Sequence, residues 1–276
     1  MIDLLTADYA RMLKSYPFIG CLLFCVDFPI VMVVQIKYFE HINRADSLIN
    51  LIFLFTGILM AVFVSLFVGM EYDDHTMRNK LLIGHSRVKI YLSDFFVCLT
   101  GGFILQLVYF FTAVITVTVA FKFGMEGGII MMPDQILKCQ IIGLYITAAY
   151  TGMFVFFCLL IRNQAYSTVV CLGMAVLMFA GGMAVSQNVA PPLDMLEEMP
   201  FMSQSMLNSF RGMAIDTEPK RQIFMIIDDI LPACHAYNIR SGMITGRPAI
   251  NVLSDTVITL GFTIIGLLSF RKKDFV

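Results

Sequence analysis

The chain has 276 residues, 58% of them hydrophobic and 14% charged, with a mean hydropathy of +0.81 and a formal net charge of −1. A water-facing globular surface needs roughly 25% charged residues, so a soluble enzyme is excluded, as is a disordered chain, which requires low hydrophobicity. The balanced charge leaves no basic footprint for nucleic acid.

In chain order, Leu4 to Tyr16 sets Leu4, Leu5, Met12 and Leu13 against Asp8, Arg11 and Lys14. This is the pattern of a helix lying in the membrane interface, and Pro17 is expected to bend the chain into a first span. About 20 predominantly apolar residues cross a bilayer as a helix. Six stretches qualify: Phe18 to Ile36, Leu48 to Met70, Phe95 to Phe121, Ile141 to Ile161, Tyr166 to Val185 and Val252 to Phe270. Their continuity excludes the period-two alternation of an outer-membrane barrel. The third is longer than a bilayer needs, which predicts tilt or an end in water. Phe224 to Leu231 is too short to cross and holds Asp228 and Asp229.

The predicted fold is an all-α integral membrane protein, one domain over residues 1–276. An interfacial helix occupies 1–17, a cytoplasmic loop 71–93, and a long extracytoplasmic segment 186–251 precedes the sixth helix. Pro191, Pro192, Pro200, Pro219, Pro232 and Pro248 would divide that last segment into short helices and turns. The basic residues set the orientation. With both termini in the cytoplasm, Arg11, Lys14, Arg78, Lys80, Arg87, Lys89, Arg162, Arg271, Lys272 and Lys273 lie inside. Only Lys37, Arg44, Lys122 and Lys138 then fall in short outer loops. Asp3 and Asp8 occupy the place of a basic n-region, so the first span is expected to be an uncleaved anchor.

Sites for chemistry are sparse. The chain has no G-x-x-x-x-G-K-[ST] phosphate loop, no G-x-S-x-G elbow and no H-E-x-x-H motif, so no catalytic residue is assigned and the chain is not expected to be an enzyme. The seven cysteines and four histidines show no metal-ligand spacing, and the thiols Cys21, Cys25, Cys98, Cys158 and Cys171 read as apolar filler within spans. No cofactor or metal is assigned. Asp27, two residues before Pro29, is the deeply placed ionisable residue, and charges at that depth usually face a cavity or a partner. It is therefore a candidate for a substrate path, or else a carboxyl hydrogen-bonded to a neighbouring helix. Gly57, Ala61, Ser65 and Gly69 form a small-residue stripe for close helix packing, within the chain or between subunits. Gly143, Thr147 and Thr151 form a weaker stripe, and Gly173, Gly181 and Gly182 provide small positions in span five.

The most informative segment runs from Glu71 to Ser93. Thr76 can cap a short helix with Met77, Leu81 and Leu82 on one face and Arg78 and Lys80 beside them. Gly84 would end it in a left-handed turn, and Ser86-Arg87 would begin the return to span three. A merely positive-inside loop needs the bases but not the apolar face, the cap and the stop together. Glu71-Tyr72, Thr76-x-Arg78-Asn79-Lys80-Leu81, Gly84-x-Ser86-Arg87 and Tyr91 resemble the cytoplasmic loop of ABC-2 type permeases, the membrane subunits of bacterial ATP-binding cassette exporters. The usual form has glycine before the threonine, where this chain has His75. The ending Phe270-Arg271-Lys272-Lys273-Asp274 is similar to that family's.

The resemblance implies a bacterial cytoplasmic-membrane permease that exports a substrate when coupled to a separate ABC ATPase subunit. ATP and magnesium would be held by that partner, and a second permease subunit, identical or not, would complete a dimer in the lipid membrane. Met77, Leu81 and Leu82 would enter a groove on the ATPase, and Arg78, Lys80 and Arg87 would meet its acidic rim. Asn79 lies within this motif, and Glu71 would pair with a base to fix the loop. The resemblance also suggests that Phe224 to Tyr237, broken at Pro232, is re-entrant; a surface-lying helix is the alternative. A soft lining from 20 methionines and 25 phenylalanines would suit an amphipathic peptide, a hydrophobic antibiotic or a lipid-like molecule. The alternative functions are a membrane sensor or immunity protein that binds an extracellular ligand, and an ion-coupled secondary carrier.

Overall fold

The computed structural model describes residues 2–39, 46–74, 76–122, 133–161, 163–188, 218–240 and 248–272. Among them every element is a helix: α1 Ile2–Lys14, α2 Tyr16–Phe39, α3 Asp46–Ile49, α4 Leu51–Asp73, α5 Thr76–Leu82 and α6 Arg87–Lys122. Then follow α7 Pro133–Leu160, α8 Gln164–Asn188, α9 Glu218–Ile230, α10 Pro232–Arg240 and α11 Pro248–Lys272. α2, α4, α6, α7, α8 and α11 are the six helices long and apolar enough to cross a membrane. They correspond to the six predicted spans. Only helices and closed barrels satisfy every backbone polar group inside lipid, so each continuous apolar run becomes a helix. Prolines open α7, α10 and α11, where the missing N–H needs no partner. Arg44, His75, Arg162, Pro191, Pro192, Pro200, Lys273 and Asp274 lie outside the described residues.

Two helices form the interior. The apolar stretches of α4 and α7 are each 67% buried, against 28% for α2 and α6, 22% for α8 and 11% for α11. α4 packs between α7 and α8, α7 also meets α11, and α2 lies along α6. The small-residue stripe of α4 explains this close packing. A Cβ on Gly57 would lie 2.8 Å from the Tyr150 ring of α7, and one on Gly69 would lie 2.7 Å from the Gln164 side chain of α8. Ala61 and Ser65 between them are fully buried. The stripe is thus occupied by the chain's own helices. Gly143 of α7 faces the Phe53 ring in the same way, whereas Gly173 and Gly181 have open space around them.

The turn from α1 into α2 differs from the expectation. α1 ends at Lys14, and Ser15 makes the corner by donating from both its hydroxyl and its N–H to the Met12 carbonyl, at 2.7 and 3.0 Å. Pro17 falls in the first turn of α2, where it is tolerated. The buried side of α1 is also not the purely apolar one. Leu4, Asp8 and Met12 face inward at helical spacing while Leu13 is exposed, because Asp8 has partners inside.

Candidate functional site

The segment after α4 is built from local signals. α4 ends as Asp74 N–H donates to the Met70 carbonyl at 2.9 Å, and α5 starts at Thr76. The Thr76 hydroxyl does not cap α5; it reaches back to the Glu71 carbonyl at 3.2 Å. α5 closes with His85 N–H on the Lys80 carbonyl at 3.2 Å and Gly84 N–H on the Leu81 carbonyl at 3.0 Å. This pair of bonds is the Schellman arrangement. It requires the left-handed Gly84, whose φ is +95°. Ser86 then precedes α6, its hydroxyl accepting the Lys89 N–H at 3.4 Å, as an N-cap does.

Three helices and the end of α4 converge beneath this turn on a closed ionic cluster. Glu71 and Asp94 are fully buried and Asp8 nearly so. The Lys80 ammonium of α5 sits among all three, 2.9 Å from Asp8, 2.8 Å from Glu71 and 3.3 Å from Asp94. Arg11 of α1 pairs with Glu71 and lies 4.0 Å from Asp8. It also bonds the Thr76 hydroxyl at 3.5 Å and stacks over the Phe67 ring at 4.5 Å. Ser93 donates to Asp8 at 2.7 Å. Burial alone would lower the pKa of the Lys80 ammonium, but Asp94, Glu71 and Asp8 outweigh it and hold the group above the usual lysine range. Arg11 is raised against its own desolvation by the same carboxylates, Glu71 first. Asp8, Glu71 and Asp94 come close enough together to hold a metal ion. The position such an ion would take is filled by Lys80.

The cluster changes the roles expected for the loop. Met77 is buried in the chain's own core and Leu81 packs against it, so neither is presented outward. Lys80 is the internal cation rather than a rim contact. The Arg87 guanidinium donates to the Arg271 carbonyl at 3.2 Å, tying the start of α6 to the end of α11. The outward surface consists of Arg78, Asn79, Leu82, Ile83, Gly84 and Ser86, flanked by exposed Asp73 and Asp74 before α5 and by Val88 and Lys89 at the start of α6. Leu82 and Ile83 are 75% and 77% exposed. Ile83 escapes a sequence reading because it sits at the helix cap, outside the apolar periodicity. Asp8 and Asp94 escape it because one looks like the polar side of an interfacial helix and the other like the end of a span.

Asp27 lies on the exposed side of α2, with Leu23, Phe24, Val26, Ile30 and Val31, facing away from the bundle. It is not the sole deep carboxyl. Asp94 and Asp255 are fully buried in the helices of spans three and six. At the far end of the bundle α9 and α10 break at Leu231-Pro232, where an interruption was expected, and α10 is packed against α4, α7 and α8. All seven cysteines are free and buried.

A comparison with known families matches residues 10–181 to the ABC-2 family transporter protein model. A search of curated proteins finds no match. The matched region runs from within α1 through most of α8 and includes the whole turn from α4 to α6 and, apart from Asp8, the ionic cluster. With six helices fit to cross a membrane and a family match over more than half its length, this chain is a multi-pass membrane protein and belongs to the ABC-2 family of transporter membrane proteins.

Proposed function

We propose that this chain is the permease subunit of an ATP-driven exporter in a bacterial cytoplasmic membrane, with both termini inside and α5 as the element that docks on a separate ABC ATPase. One observation carries the reading: Leu82 and Ile83 project from a seven-residue helix whose other side is pinned by Lys80 to three buried carboxylates. Two large apolar side chains on a rigid tip need a partner surface, and fixed anchors in a small patch carry most binding energy. The basic flank of Arg78 would favour an acidic rim. ATP and magnesium belong to the partner. Closure of the ATPase would move α5 and, through the cluster, α1, α4 and α6 together, as a ligand acting through differential contacts in two states must.

A second permease subunit would lie against the exposed side of α2. A carboxyl facing lipid is costly, so Asp27 is assigned to a path or contact between two subunits. The cargo is a hydrophobic or amphipathic molecule. The test is purification of the tagged chain from its native membrane in mild detergent with Leu82→Asp/Ile83→Asp beside it. A stoichiometric ATPase lost in the variant supports the reading. A chain that purifies alone, or whose ATPase partner survives the double change, refutes docking at this tip. Transport unaltered by both Asp27→Asn and Asp27→Leu would remove Asp27 from the path.

A further inference from the structure

At the end of α4 away from the ionic cluster lies a second buried polar group that the coupling scheme does not use. α10 carries it inward. Pro232, Ala233, Cys234, His235, Ala236 and Ile239 are all buried, and the approach is tight. A Cβ on Gly182 of α8 would lie 2.7 Å from the Ala233 Cβ and 2.9 Å from its carbonyl carbon. The Asn50 amide, just before α4, donates to the Ile239 carbonyl at 3.4 Å.

In this setting His235 meets Asp255 of α11, Nδ1 to Oδ1 at 3.1 Å, and neither is exposed. The other ring nitrogen of His235 and the other oxygen of Asp255 are buried without a partner among the described residues. Asp228 of α9 and Tyr150 of α7 are the other titratable groups near the pair, as partners in its electrostatics. Asp228 itself is held by Asn238 at 3.0 Å and Ser186 at 3.5 Å.

A helix wedged against three neighbours by apolar side chains does not need a buried imidazole and carboxyl to stay in place. Burying them is costly, and half of their hydrogen-bonding capacity is unmet. Water would satisfy both free atoms if the two separated, so the contact is strong when closed and cheap to open. We infer that His235 and Asp255 are positioning residues, a latch that fixes the α9–α10 corner to the last span and whose release opens this end of the bundle during transport. The inference rests on the permease reading.

Cys234 is the native reporter. It is buried, and desolvation, with Asp228 adding, pushes its thiol up to about 12, so it is unreactive while the latch is closed. The full chain in its native membrane is treated with a maleimide, and modification at Cys234 is read by mass spectrometry. Asp255→Leu and His235→Leu are expected to raise labelling about tenfold or more, the loss set by a charge-assisted hydrogen bond. Asp255→Asn keeps an acceptor for the ring N–H and should remain protected. The reciprocal exchange His235→Asp/Asp255→His should restore protection. Trapping the ATPase complex with ATP and vanadate should expose Cys234 in the unaltered chain. Protection persisting in folded Leu variants overturns the latch. If those variants do not accumulate, an exchanged pair that folds yet leaves Cys234 reactive overturns it equally. Labelling that responds to the variants but not to nucleotide in an intact ATPase complex overturns the role in transport. Absence of any ATPase partner instead defeats the permease reading and leaves the labelling contrast intact.

Discussion

Replacing Lys80 with methionine tests whether α5 is held by charge. Methionine keeps the length and apolar stem of a side chain that is 11% exposed but removes the ammonium, which lies within 3.3 Å of three carboxylates. At about 3 Å and an effective dielectric of about 20, each of these contacts is worth roughly 5 kcal/mol before desolvation. Most of that is offset by the cost of burying the ions, and removing one partner of such a group typically costs about 3–5 kcal/mol because the others remain buried and unpaired. Here Asp8, Glu71 and Asp94 would face Arg11 alone. A loss of that size shifts the balance between docked and detached α5 by roughly 100- to 3,000-fold. The assay is amide hydrogen exchange across residues 76–84 in detergent or nanodiscs. Exchange should accelerate by that order in Lys80→Met, and adding Asp94→Asn to the same chain should recover a large part of the protection by removing one orphaned charge. Unchanged exchange in Lys80→Met, or a double variant worse than the single, would refute the argument that Lys80 is the counter-ion.

Other outcomes follow from the same contacts. The Lys80 pKa is raised, so its contribution is fully present below the ordinary lysine value and is lost only as pH rises through the higher folded value; the protection of 76–84 that Lys80→Met removes should therefore persist to about pH 9, and protection in the unaltered chain that falls to the Lys80→Met level by then would count against Lys80 as the counter-ion. Gly84→Ala places a Cβ at φ +95°, a strain of about 1–3 kcal/mol, and should fray the last turn of α5 in the same exchange measurement while leaving α6 protected. Gly143→Ala would put a Cβ 2.0 Å from the Phe53 ring and should lower thermal stability by about 1–3 kcal/mol, whereas Gly173→Ala, with nothing within 4 Å, should be neutral or slightly stabilising by helix propensity; equal effects in a thermal unfolding assay would refute the packing assignment.

Much of the loop was legible because its signals are local. Gly84 as the stop of α5 and Ser86-Arg87 as the start of the return into α6 each depend on residues within one helical turn, whereas Thr76, expected to cap α5, bonds the Glu71 carbonyl instead. Inward and outward facing was not legible. The apolar pattern Met77, Leu81, Leu82 gave one docking face, but Met77 turns into the chain's core while Leu82 and Ile83 turn out. On a helix of seven residues two faces differ by a single position, and only the neighbours decide between them. The stripe from Gly57 to Gly69 shows the same limit. Its spacing demands a close neighbour, but that the neighbours are Tyr150 and Gln164 of this chain is a matter of tertiary packing.

The sequence by itself determined that this is a six-helix membrane protein and where each span lies. Lipid offers no partner for backbone polar groups, so an apolar run of sufficient length has one stable form. It also determined the turn that follows α4, through the Gly84 stop. Only the tertiary structure decided which ionisable groups lie inside. Asp8 with Ser93, Arg11 with Glu71 and His235 with Asp255 join different helices, and no local pattern marks a carboxylate as buried when its counter-charge arrives from a distant part of the chain. A buried charge persists only where its partner is delivered to it, and that delivery is the work of the fold.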